Sequence, residues 1–179
     1  MPSPRAARVG QRASWLAAIA AATALVSAPV RAGEQVGDVQ VKAAFLLNVI
    51  KFVQWPTSSN PLVIGVIGDR ALAAAIGAAV KTKTGDGRAI EVRGLEAGDD
   101  PSGCDVLHVG DAGTADTVAV LSRVRGPVLT VGETPRFLRD GGIIRMFIED
   151  RRIRFQVNRA KADDSGLRIS SQLLSLAVK

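Results

Sequence analysis

Apolar residues along the chain fall into two spacings, solid runs of strand length and positions three or four apart. Val36 to Trp55 carries no glycine or proline after Gly37, which predicts a long helix stopped by Pro56. Leu62 to Ile67 is a continuous apolar run closed by Gly68-Asp69 and predicts a buried strand. A helix follows through the alanines and Ile76 to Val80, then an alternating strand at Ala89 to Arg93. Cys104 to Val109 predicts another strand, Thr114 to Val124 a helix, Val128 to Val131 a short strand, and Pro135 to Asp140 a short helix. Ile143 to Ile148 and Ile153 to Val157 flank Glu149-Asp150-Arg151-Arg152 as a β-hairpin. A helical turn within Asn158 to Ser165 and a helix over Ser170 to Ala177 close the chain. Strands alternating with helices imply an α/β fold: a single compact domain, a mainly parallel sheet with helices on both faces, and a C-terminal β-hairpin.

The first helix is apolar on two sides. At 100° per residue, Val39, Ala43, Leu46, Ile50 and Val53 form one stripe. Val41, Phe45, Asn48 and Phe52 form a nearly opposite one, with Lys42 on a strip between them. The aliphatic stripe is assigned to the core. The second suits either a neighbouring C-terminal helix or a partner surface, since aromatic anchors favour interfaces. Val41, Phe45 and Phe52, with Trp55 near the helix end, are the candidate partner-binding residues.

The N-terminus changes the charge picture. The chain has 179 residues and a formal net charge of +6. Arg5, Arg8 and Arg12 precede an apolar run from Trp15 to Val26, and Val30-Arg31-Ala32 places small residues as at a signal peptidase site. We read residues 1–32 as a signal peptide and 33–179 as the α/β domain. Cleavage after Ala32 removes four arginines and no acid, leaving 19 basic against 17 acidic side chains in 147 residues. At net +2 no nucleic-acid partner is expected: the only dense basic run, Arg151-Arg152-Ile153-Arg154, reads as a strand start with solvated charges. One cysteine excludes an internal disulfide, and export points to the periplasm.

No constellation argues for catalysis. His108 lies mid-strand and reads as a packed core histidine, with no carboxylate partner evident in sequence. Cys104 reads as a buried thiol. Asp99-Asp100, Glu149-Asp150 and Asp163-Asp164 read as solvated turns. There is no phosphate-binding glycine fingerprint and no nucleophile elbow. No catalytic residue, metal site or cofactor is expected. Asp69, Asp111 and Glu133 each follow a strand, where open α/β sheets bind ligands, and form the candidate crevice of an alternative small-molecule reading. Each also suits helix capping.

Three stretches carry a resemblance. They are Val41 through Pro56 with its Trp-Pro end, Leu62 through Asp69, and the C-terminal block from Gly141 through Asn158 to Gly166-Leu-Arg-Ile-Ser-Ser-Gln-Leu-Leu-Ser-Leu-Ala177. Cys104 to Gly110 and Pro127 to Val131 fit between in order. The chain resembles the YfiR-like family of bacterial periplasmic regulatory proteins across nearly all of residues 33–179. The resemblance implies a compact α/β domain that is not an enzyme. It implies binding to the periplasmic region of an inner-membrane sensor, a diguanylate cyclase held inactive, and hence control of cyclic di-GMP and biofilm formation. It also implies an outer-membrane lipoprotein as antagonist, while core packing or a homodimer contact is the alternative use of Val41, Phe45, Phe52 and Trp55. Well-known members form internal disulfides, which the single Cys104 does not permit here.

Overall fold

The computed structural model describes residues 31–57, 59–82, 89–110 and 114–178. The signal-peptide reading of residues 1–32 lies almost wholly outside them. Residues 32–179 make up one compact unit. Among the described residues no helix is long and apolar enough to cross a membrane.

Among the described residues, five helices and eight strands run in the order α1 (Arg31–Ile50), β1 (Val53–Gln54), β2 (Leu62–Ile67), α2 (Arg70–Thr82), β3 (Ile90–Leu95), β4 (Val106–Val109), α3 (Thr114–Arg123), β5 (Leu129–Gly132), β6 (Ile144–Glu149), β7 (Arg152–Val157), α4 (Arg159–Asp164), β8 (Arg168–Ile169) and α5 (Ser171–Leu176). Six strands form one sheet in the order β3-β2-β4-β5-β6-β7. The first five are parallel, and β7 joins β6 antiparallel. This is the α/β architecture expected from the sequence.

Side-chain alternation divides the core. Leu62, Ile64 and Val66 of β2, Val106 of β4, Leu129 and Val131 of β5, Ile144 and Met146 of β6 and Phe155 of β7 share one face. Leu46 and Ile50 of α1, Leu72 and Ile76 of α2, Ala162 of α4 and Leu173 of α5 cover it. The other face carries Ile67, Leu107 and Val109, which pack with Val120 of α3 and with Phe137. Phe137 is fully buried between Gly132 and Gly142, and a Cβ on either glycine would collide with its ring. Similarly, Gly65 makes room for Sγ of Cys104, which lies in the loop before β4 rather than in the strand expected to start there.

Two predicted elements need correction. The first helix does not reach Trp55. It ends at Ile50, where Lys51 and Phe52 N–H donate to the carbonyls of Asn48 and Val49. Val53-Gln54 then pairs antiparallel with Ile169-Arg168 as a separate two-stranded sheet. A β-branched residue shortly before Pro56 favours extended backbone, and β8 supplies the hydrogen bonds. Pro135 to Asp140 is a series of turns rather than a helix, folded so that Phe137 reaches the core.

The hairpin turn is resolved in an unexpected way. Asp150 and Arg151 both have positive φ, 49° and 59°. With Glu149 opposite Arg152 this is a two-residue loop of the I′ kind, formed without the usual Asn-Gly.

Candidate functional site

Lys42 lies on the strip of α1 between its two apolar stripes, above the ends of the parallel strands. Its Nζ donates to Glu133 Oε2 at 2.7 Å. Glu133 directly follows β5, and the strand alternation puts it on the face that α1 covers. Its Oε1 lies 3.4 Å from His108 Nε2, too long for a well-formed hydrogen bond. His108 is fully buried in β4, opposite Val66 and Val131. Burial pushes the Glu133 carboxyl up, but the nearby His108 ring and the hydrogen-bonded Lys42 ammonium outweigh it and hold it below its ordinary range. The cluster clamps α1 to the sheet across 91 residues of chain. A general acid or base has to reach its substrate, and a side chain as enclosed as His108 does not.

The other two residues of the strand-end crevice take different places. Asp69 Oδ1 accepts from Leu72 N–H at 2.9 Å and so caps α2. Asp111 lies outside the described residues. The Asp69 carboxylate is turned to its own helix, while that of Glu133 is turned to Lys42.

The candidate partner-binding residues separate by exposure. Val41 is 50% exposed, among the most open large apolar side chains described. Phe45, one turn on, is half-buried, its ring 5.3 Å from that of Phe155 on β7. Leu46, on the opposite stripe, is completely buried. Phe52 falls in the turn after α1, half-buried against the core, and its carbonyl accepts from Ser170 N–H. It therefore leaves the helical stripe on which it was placed. Trp55 is half-buried and its Nε1–H donates to the Asp105 carbonyl at 3.2 Å.

Two features were not singled out from the sequence. Asp105 ties the opposite end of the sheet together: its carboxylate accepts from Val63 N–H at 2.8 Å and from Ser59 Oγ. Its carbonyl also accepts from Trp55 and from Leu129 N–H. Second, a cleft of about 610 Å³ opens where Trp55-Pro56, just after β1, meets the C-terminal block. Gln54, Trp55, Pro56, Asp163, Leu167 and Arg168 line it. The two stretches that carried the resemblance most specifically are thus the ones that pair as β1 and β8 and shape this cleft.

Comparison with curated proteins gives no match. The profile of a family described as YfiR/HmsC-like matches residues 39–178, from within α1 to the C-terminal tail. That span includes every strand, the Lys42–Glu133–His108 clamp and the cleft. The family is one of periplasmic regulators, and this chain belongs to it.

Proposed function

We propose that this chain is a periplasmic regulator that binds the periplasmic region of an inner-membrane sensor, a diguanylate cyclase, and holds it inactive. Family membership over residues 39–178 is the observation that carries this reading. The exposed Val41 beside half-buried Phe45 supports placing the contact on the outward side of α1. Inhibition works by population shift. The chain binds the inactive state of the sensor more tightly, and the ratio of its two affinities sets the degree of silencing. Moving a sensor from almost fully active to almost fully inactive takes a preference of about 10⁴-fold. An outer-membrane lipoprotein that competes for the chain would release the cyclase.

A photo-crosslinking amino acid at position 41 tests this in cells. It should capture an inner-membrane protein with a cyclase output domain. The same group at Val118, 54% exposed on α3 and therefore equally accessible, should not. No crosslink from position 41, or equal capture from both positions, contradicts the reading.

A second reading has its own support. The cleft at Trp55 and Arg168 is of a size that holds small ligands. It differs in place from the strand-end crevice first considered. A periplasmic small molecule that raises the melting temperature of the chain, but not of an Arg168→Ala variant, would favour this reading.

A further inference from the structure

The six-stranded sheet ends in two edges of different chemistry. At the β3 edge, Glu91 and Arg93 pair with each other at 2.7 Å, so their charges cancel. At the β7 edge they do not. The ladder with β6 puts Arg145, Phe147, Glu149, Arg152, Arg154 and Gln156 on one face of the hairpin. Three arginines there face one glutamate. Arg154 lies 3.6 Å from Glu149, Arg145 stacks over the Phe147 ring at 4.6 Å, and Arg152 is exposed. The opposite face at the same edge is apolar, with half-buried Ile153 next to Ile148, which is 42% exposed.

The backbone of this edge is open to pairing. Asn158 N–H donates inward to Ile143, continuing the ladder, while Phe155 C=O points outward and accepts from Val178 N–H at 2.8 Å. Odd-numbered residues of β7 therefore present their N–H and C=O groups away from the sheet. The C-terminal tail satisfies one of them. No backbone group meets those of Ile153 among the described residues.

We propose that the outer edge of β7 takes up an extended segment of the partner, a strand that alternates acidic and apolar side chains. This rests on the regulatory-binding reading above and gives the partner a chemistry. Strand addition uses main-chain hydrogen bonds for affinity and alternate side chains for specificity. Acidic residues of the added strand lie against Arg152 and Arg154, and apolar ones against Ile153. The tail already places one main-chain hydrogen bond on this edge, from Val178 N–H to Phe155 C=O. A second copy of the chain fits poorly. Two β7 edges paired antiparallel bring the arginines of both copies together, and like charges directly opposed destabilise a sheet. The same arginines thus protect the edge from self-association and select an acidic strand.

The test uses the whole chain and two blocked hexapeptides, Glu-Val-Glu-Val-Glu-Val and Lys-Val-Lys-Val-Lys-Val. Titration should show binding of the acidic peptide at least tenfold tighter than the basic one, weakening with added salt. Hydrogen exchange at the Ile153 and Phe155 amides should slow at least tenfold with the acidic peptide alone. The double variant Arg152→Glu/Arg154→Glu, whose substitutions lie on an exposed face, should reverse the preference. Equal binding of both peptides, protection elsewhere, or no reversal overturns the proposal. Concentration-dependent protection of the same amides without peptide assigns the edge to a second copy and also overturns it. The peptide result does not depend on which sensor the chain serves. Failure here leaves the crosslinking test standing, and failure there leaves this one standing.

Discussion

Glu133 owes its environment to distant parts of the chain. Lys42 and His108 hold its carboxyl below its ordinary range, against the upward push of burial. A carboxylate whose folded-state pKa is depressed stabilises the fold above its unfolded pKa of about 4.3, and this contribution is lost as the pH falls through the lower folded value. Glu133→Gln should therefore cost about 1–3 kcal/mol near neutral pH, the scale of a hydrogen bond to a charged group. It should also flatten the loss of stability below about pH 4.3. Urea unfolding of both proteins across pH 3–7 checks this, and parallel curves contradict it. None of this pairing was legible in the sequence. Lys42, His108 and Glu133 sit far apart in the chain, and only the register of β4 and β5 under α1 brings them together. The same holds for Asp105, whose partners Trp55, Ser59 and Val63 come from a different stretch. What local sequence does carry is capping. Asn158 and Ser170 accept from Lys161 and Leu173 N–H as residues of their type at helix starts do.

At the scale of elements, the solid apolar strands and the hairpin were readable because burial on both faces and alternation each leave a local period. The end of α1 was not. Val53 continues the helical stripe in register, but its backbone partner is β8, more than a hundred residues away. The helix itself gives a stability contrast. Leu46→Ala removes a fully buried side chain and should cost about 2–5 kcal/mol. Val41→Asp, on the exposed side, should change stability by no more than about 0.5 kcal/mol. Thermal melts of the two variants check the assignment of faces. The hairpin offers the opposite sign. Arg151 has φ 59°, which costs a side chain more than it costs glycine. Arg151→Gly should raise stability by about 0.5–1 kcal/mol, read as a higher urea midpoint with an unchanged slope. A lower midpoint would show that the Arg151 side chain contributes more than the strain it carries.

For the whole molecule, the structure combines a rigid scaffold with surfaces on its first helix and its last strands. The sheet is covered on one face by α1, α2, α4 and α5 and on the other by α3 and the Phe137 turn. The clamp at Lys42–Glu133–His108 holds α1 in its second half and the β1–β8 pairing holds the chain just beyond its C-terminal end, so its outward side is presented in one orientation. Fixed presentation lowers the entropy cost of binding a partner. The proposed silencing of a membrane cyclase follows from this presentation, and cyclic di-GMP in cells reads it most directly. A strain lacking the chain should contain several times more cyclic di-GMP than its parent. Supplying the chain should restore the parental level, and supplying an equally abundant Val41→Asp variant should not. If loss of the chain leaves cyclic di-GMP unchanged, the account of this protein as an inhibitor of a diguanylate cyclase is contradicted.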